Sequence, residues 1–174
     1  MNYFDFFQIP VAFVLDEALL KRKFYANSKQ YHPDFFATTS PEEQAHALHL
    51  STLNNEAYRT LADPDSRMQY VLNLKEVLAE EGQNEVPSDF LAEMMELNEA
   101  LMELEFDFEE EMLKKVSLQV DELEKGLYEE VAPLLIGYDD QQATPEALSA
   151  IKDYYFKRKY LLRIRENLSK FATH

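Results

Sequence analysis

Apolar positions recur at helical spacing along most of the chain, and start and stop signals divide this pattern into segments. After a short apolar start and an interruption at Pro10, the spacing continues in Leu20, Phe24 and Tyr31. The residue before a proline avoids the α region, so Pro33 ends this helix. The pattern predicts an all-α fold with helices over residues 16–31, 40–61, 65–79, 88–102, 107–135 and 145–171.

Capping residues mark the starts of three predicted helices. Asp16 is a suitable N-cap, and Thr144-Pro145 combines an N-cap with a first-turn proline. Ser40 precedes Pro41, and Glu43 completes a Ser-x-x-Glu capping box. A loop over residues 34–39 therefore connects the first two long helices.

A polar stretch without periodicity separates two halves of the chain. Residues 76–86 contain Gly82 and several glutamates, and Pro87 follows. This composition predicts a linker over residues 76–86 between domains at 1–75 and 87–174. Three long helices with short connections in the second domain predict an antiparallel three-helix bundle.

Composition narrows the functional classes. The 174 residues are 46% hydrophobic, which is enough for a core, and contain three Gly and no Cys. The lack of Cys excludes a disulfide scaffold, a thiolate nucleophile and a Cys-ligated zinc site. With no run of about 18 apolar residues and no basic segment at the start, we expect a cytoplasmic protein without membrane contact.

The charge is strongly negative and unevenly distributed. A net charge of −16 argues against nucleic acid as a partner. No Lys or Arg occurs between Lys75 and Lys114, whereas seven cations lie in the last 25 residues. The asymmetry indicates an acidic helix packed near a basic one, a surface for a partner, or both.

The tripeptide His32-Pro33-Asp34 lies in the predicted loop between two antiparallel helices. Taken alone, it could be an ordinary turn, because Pro and Asp are common turn residues. Gln30-Tyr31 precedes it, and the segment from Leu53 to Pro64 follows, with Arg67 and Tyr70 after that. Together these features, over about residues 1–75, resemble the J-domain, through which DnaJ-type co-chaperones engage DnaK-type ATPase chaperones.

The resemblance implies a role for both parts of the hairpin. His32, Pro33 and Asp34 are expected to contact the chaperone and trigger its ATP hydrolysis. The preceding helix is expected to dock through a basic face, although exposed cations are usually only solvated. On the helical wheel this face groups Lys21, Arg22, Tyr25 and Lys29.

Two positions depart from the usual J-domain pattern. Phe35-Phe36 follows the tripeptide where Lys or Arg is usual, and these rings are expected to pin the loop onto the core. Asn27 lies on the apolar face, where Leu is commoner.

The second half of the chain narrows the resemblance to one group of J-domain proteins. Neither a Gly/Phe-rich stretch nor a cysteine-rich module follows the first domain; an acidic helical segment does. This arrangement is similar to the HscB family of iron–sulfur cluster co-chaperones, and so are three segments: Met1-Asn2-Tyr3-Phe4, residues 31–36, and residues 90–99. The resemblance implies that the C-terminal bundle binds the iron–sulfur cluster scaffold protein and that the J-domain passes it to an HscA-like chaperone.

The helix from Ser88 carries two apolar stripes. Phe90, Met94 and Leu97 begin one stripe, and Leu91, Met95 and Met102 form the second. Periodicity alone allows both stripes to be core, but a helix in a small bundle needs only one apolar face. The resemblance assigns client binding to Leu91, Met95, Glu96, Glu99, Glu103 and Phe156.

Other chemistry has weaker support. His46 and His49 share a helix but have no evident third metal ligand, and no Gly-rich phosphate loop is present. We therefore expect neither an enzyme nor a bound metal or cofactor. The alternatives are a J-domain co-chaperone for another client, or a small helical adaptor or metal-binding protein with a fortuitous tripeptide.

Overall fold

A computed structural model describes residues 1–78 and 86–172, and all regular elements in these ranges are helical. The prediction of an all-α fold is therefore confirmed. Most of the predicted linker at 76–86 lies outside the described residues. The elements are α1 Tyr3–Phe7, α2 Glu17–Gln30, a 3₁₀ helix Pro33–Phe36, α3 Pro41–Ala62, α4 Pro64–Leu74, α5 Ser88–Phe106, α6 Glu110–Ile136 and α7 Pro145–Ser169.

Side-chain caps fix the helix starts that the sequence predicted. The Asp16 side chain accepts a hydrogen bond from the Leu19 N–H at 3.0 Å, and Thr144 caps α7 in the same way. Ser40 and Glu43 form a reciprocal capping box at the start of α3. Each observed start lies within one residue of its predicted position.

The bounds of three helices differ from the prediction by three residues or more. Helix α4 ends at Leu74 rather than near residue 79, and Glu76 just beyond it has a φ of 56°. Helix α5 continues to Phe106 instead of ending at Met102, and α6 begins at Glu110 rather than 107. Neither α1 nor the 3₁₀ helix was predicted, because both are too short to show a period.

The first of two compact units comprises Met1–Lys75 together with Tyr138–Ala143. Within it, α2 and α3 are antiparallel, because Phe24 pairs with Tyr58 whereas Ser28 pairs with Asn54. Buried Phe4, Phe7, Leu20 and Leu61 contribute to its core. This packing holds the α2–α3 connection at one end of the hairpin.

Segment Tyr138–Ala143 joins the first unit through aromatic and polar contacts. The Tyr138 ring meets Phe13 edge-on at 4.8 Å, and its hydroxyl donates to Asp140 at 2.8 Å. Lys75 forms an ion pair with Asp140. Burial opposes ionisation of Asp140, but the hydrogen bonds from Lys75 and Tyr138 hold its pKa below the usual value.

The second unit comprises Glu76–Gly137 with Thr144–His174, and α5, α6 and α7 pack together in it. Arg165 of α7 bonds Asp121 of α6 at 2.6 Å, while Arg158 lies 3.5 Å from Glu124, so these helices are antiparallel. The core of this unit contains Phe90, Met94, Leu97, Leu101, Leu104, Val116, Val120, Leu161, Ile164 and Phe171. The predicted three-helix bundle is therefore confirmed.

Candidate binding surfaces

The connection between α2 and α3 is anchored by the helices on both sides of it. The Phe24 and Tyr58 rings stack with centroids 4.2 Å apart. Buried Asn54 donates from Nδ2 to the Phe24 carbonyl and to the Ser28 hydroxyl, each at 3.1 Å. These contacts fix the spacing of the two helices and hence the span that the connecting loop must close.

The tripeptide forms a short, self-capped turn. His32 is the N-cap of the 3₁₀ helix, and its Nδ1 accepts a hydrogen bond from the Asp34 N–H at 3.3 Å. The Asp34 Oδ2 lies 3.6 Å from the same nitrogen, and the Phe35 N–H donates to the His32 carbonyl at 3.0 Å. The side chains of His32 and Asp34 are 55% and 89% exposed, so an ordered turn presents both to solvent.

The two phenylalanines after the tripeptide differ in their environments. Phe36 is half-buried, whereas Phe35 is 70% exposed, with its ring edge-on to His32 at 6.3 Å. The expectation that both rings pin the loop onto the core is therefore wrong for Phe35.

The predicted basic face of α2 is exposed. Lys21, Arg22, Tyr25 and Lys29 are all exposed, while Leu20 on the opposite side is buried. Within the described ranges none of the three cations forms an ion pair with a carboxylate of the chain. Their charge is therefore available to an acidic partner, and the tripeptide follows directly at the C-terminal end of the same helix.

On α5, the second apolar stripe points to solvent. Met95 and Met102 are 64% and 58% exposed, and Leu91 is half-buried. The alternative in which both stripes are core is therefore wrong for the two methionines. Exposed Glu96, Glu99 and Glu103 flank them, so the predicted client residues of α5 form one apolar and acidic face.

Phe156 lies on α7, in the same unit as this face. It is half-buried, with its ring edge-on to Tyr155 at 5.2 Å. One turn further along α7, Tyr160 meets Phe90 of α5 at 6.2 Å. Phe156 therefore lies on the side of α7 that adjoins α5, and the structure brings it into the same unit as the other five client residues.

Sequence reasoning missed one exposed aromatic residue on α5. Phe106 is 91% exposed and lies four residues after Met102, on the same side of the helix. The four-residue spacing was visible in the sequence, but the helix was predicted to end at Met102.

The described residues can also be compared with the requirements of a metal site and of a membrane-spanning helix. His46 and His49 are exposed on α3, and no group of three or more His, Asp or Glu side chains in residues 1–78 and 86–172 is placed to hold a metal ion. Over the same ranges, no helix combines the length and apolarity needed to cross a membrane.

Comparisons with known proteins agree with this architecture. A family model described as the HSCB C-terminal oligomerisation domain matches residues 86–169. A co-chaperone protein HscB homolog from Psychromonas ingrahamii is 32% identical over 169 residues, covering 97% of this chain and 99% of the relative. A homolog from Vibrio cholerae is 44% identical over 103 residues, and there the alignment spans 58% of this chain and 60% of the relative.

Solved structures give the same result for the whole chain. The chaperone HscB from Vibrio cholerae has a TM-score of 0.71 and 29% identity, covering 99% of this chain and 98% of the other. The human co-chaperone protein HscB has a TM-score of 0.76 and 28% identity, covering 99% and 82%. A helical hairpin with an exposed His-Pro-Asp turn, a C-terminal bundle and a full-length relative at 32% identity together show that the chain belongs to the HscB family of co-chaperones.

Proposed function

We propose that this chain is a cytoplasmic co-chaperone that stimulates ATP hydrolysis by a DnaK-type, HscA-like chaperone and delivers the iron–sulfur cluster scaffold protein to it. The observation that best supports this proposal is the exposed turn at His32-Pro33-Asp34. Hydrogen bonds within the turn order it at the end of the α2–α3 hairpin. An ordered turn loses little conformational entropy on binding, which favours recognition by a partner.

The basic face of α2 supports docking on an acidic surface. Lys21, Arg22 and Lys29 concentrate positive charge on a chain whose net charge is −16. Complementary charge mainly raises the association rate and orients the encounter. In this proposal α2 guides the chaperone to the turn, and His32 and Asp34 then make the contacts that promote hydrolysis.

The α5 face supports client binding by the second unit. Met95 offers an adaptable apolar side chain, and the neighbouring glutamates restrict which partners fit. A co-chaperone that binds the scaffold and the chaperone together raises their effective concentration towards each other. Delivery then follows from simultaneous binding and needs no chemistry in this chain.

Steady-state ATP turnover by the HscA-like chaperone, with and without this protein, tests the first step. We expect stimulation by the wild type and none by His32→Gln, because glutamine lacks the ring that caps the turn. His46→Gln is the matched control, since His46 is exposed on α3 and is not part of the tripeptide turn, and it should stimulate like the wild type. Equal stimulation by both variants would contradict the assignment of the turn.

The basic face has its own test in the same assay. The double variant Lys21→Glu/Lys29→Glu should raise the co-chaperone concentration needed for half-maximal stimulation by about tenfold or more, with a weaker dependence on salt. Lys114→Glu/Lys115→Glu, at two exposed positions of α6, changes the net charge by the same amount and is the control. An equal shift in both variants would show that α2 has no specific part in docking.

Client binding is tested with the purified scaffold protein. Met95→Ala should weaken its affinity by about tenfold, a loss typical of truncating a central interface side chain. Leu118→Ala removes a similarly exposed apolar side chain from α6 and should have no effect. If Met95→Ala binds the scaffold with wild-type affinity, the assignment of this α5 face to client binding is wrong.

A further inference from the structure

A row of apolar side chains on α5 extends beyond the residues assigned to client binding. Leu91, Met95, Met102 and Phe106 fall within a sector of about 60° on the helical wheel, given 3.6 residues per turn. At a rise of 1.5 Å per residue, the row is about 22 Å long. The assigned client residues of α5 end at Glu103, so Phe106 lies beyond them.

The exposure of this row is lowest at its N-terminal end and highest at its C-terminal end. Leu91 is half-buried, Met95 and Met102 are 64% and 58% exposed, and Phe106 is 91% exposed, the highest value among the large apolar residues described. Single exposed apolar residues are ordinary on protein surfaces, but a contiguous row indicates an interaction surface. Folding of the bundle does not account for the row, because the opposite side of α5 already forms the core.

The charge around the row indicates the chemistry of its occupant. Helix α5 carries six carboxylates and no Lys or Arg. Exposed Glu99 and Glu103 border the row directly. An apolar segment with flanking Lys or Arg would bury the row and complement these carboxylates, whereas an acidic segment would be repelled.

Residues 79–85 and 173–174, which lie outside the described ranges, do not provide a basic segment. The sequence at 79–85 contains three Glu and no Lys or Arg, and residues 173–174 are Thr and His. A second copy that presented its own α5 would bring six more carboxylates to the same surface. Repulsion between like charges therefore disfavours both the segment 79–85 and an α5-to-α5 contact between two copies.

We propose that Met102 and Phe106 extend the client-binding surface, and that a basic and apolar segment of the iron–sulfur scaffold protein, about 22 Å long, lies along the whole row. This inference rests on the proposed function, because it assigns the same client to a longer surface. It adds two contact residues and states the charge and the length of the segment that they recognise.

Titration calorimetry with the full-length scaffold tests the extension. Met102→Ser/Phe106→Ser should weaken binding by about tenfold, because two exposed apolar side chains lose their buried contacts in the complex. Leu118→Ser/Tyr128→Ser, two exposed positions on α6, is the matched control and should bind like the wild type. Circular dichroism should show all variants folded, since the substituted side chains lie on the surface.

Met95→Ala in the same titration distinguishes a failure of the extended surface from a failure of the proposed function. If Met95→Ala weakens binding while Met102→Ser/Phe106→Ser matches the α6 control, the extension is wrong and the proposed function stands. If the wild type shows no binding to the scaffold, the proposed function fails and the extension fails with it. Loss of affinity in both, with an unchanged control, supports the extension.

Photo-crosslinking identifies the occupant. With p-benzoylphenylalanine at position 106, crosslinks should map to a scaffold segment that carries more Lys and Arg than Asp and Glu. The same probe at position 118 should give no crosslink to that segment. Crosslinks from position 106 to an acidic scaffold segment, or to a second copy of this chain, would overturn the proposal.

Discussion

The two units bury different kinds of side chain. In the first, Asn54 and Arg67 are almost completely buried among apolar residues. In the second, the buried side chains of the described residues are apolar or aromatic. Directional hydrogen bonds fix backbone geometry, which a loop-based recognition site needs, whereas apolar packing is enough to present side chains on one face of a helix. The difference in core chemistry therefore parallels the difference between the two proposed surfaces.

The largest expected effect concerns the apolar core. Leu161 on α7 is fully buried in the bundle, so Leu161→Ala should lower the free energy of unfolding by about 3 kcal/mol through lost burial and the cavity left behind. Amide hydrogen exchange in urea measures the stability of each unit separately. Leu118→Ala removes the same atoms from an exposed site and should change it by less than about 0.5 kcal/mol.

In the first unit, the comparison of the two cores predicts that an apolar replacement of the buried Arg67 is destabilising. Arg67 donates from Nε to the Phe13 carbonyl and from Nη1 to the Leu61 carbonyl, both at 2.8 Å. Burial lowers the pKa of Arg67, and Glu17 and Asp63 partly offset that effect.

Arg67→Met keeps most of the volume but removes both donors, so we expect a loss of about 2 kcal/mol in the free energy of unfolding. Arg59→Met, at an exposed position of α3, is the control. Hydrogen exchange of the first unit measures both. An unchanged or higher stability in Arg67→Met would show that this core does not depend on buried hydrogen bonds. The proposed difference between the two cores would then be wrong.

Asn54 should have a smaller effect than Arg67. The Phe24 carbonyl that it bonds also accepts a hydrogen bond from the Ser28 hydroxyl at 2.9 Å, and the buried Oδ1 of Asn54 has no hydrogen-bond partner among the described residues. Asn54→Ala therefore removes one unsatisfied acceptor together with its two useful bonds, and we expect a loss of about 1 kcal/mol in stability. Asn55→Ala, the exposed neighbour, should leave hydrogen exchange in α2 and α3 unchanged.

The sequence predicted what depends on local signals. N-caps at Asp16, Ser40 and Thr144 placed helix starts correctly, because a cap bonds a backbone group only three residues away. The apolar period also placed the cores. The end of α5 was less accurate, since no proline or glycine marks it, and the exposed position of Phe106 followed only from the longer helix.

Long-range polar contacts could not be predicted in this way. Arg67 bonds a carbonyl 54 residues away, and nothing in its local sequence distinguishes it from exposed Arg59. The segment Tyr138–Ala143 similarly joins the first unit through Phe13 and Lys75, which are distant in sequence. The residue roles in both proposed surfaces came from the family resemblance, and they remain predictions.

The smallest expected effect is that of Phe35, which differs from its neighbour Phe36. Phe35 is 70% exposed, with its ring edge-on to His32, so Phe35→Ala should change the stability of the first unit by less than about 0.5 kcal/mol. Phe36 is half-buried, and Phe36→Ala should cost about 1–2 kcal/mol through lost apolar burial. Hydrogen exchange of α2 and α3 measures both. If the two variants were equally destabilised, both rings would stabilise the hairpin. The hydrogen bonds of the first unit would then not be enough to hold the turn. If only Phe36→Ala is destabilised, the hairpin does not depend on Phe35, whose exposed ring lies edge-on to His32 on the surface proposed to meet the chaperone.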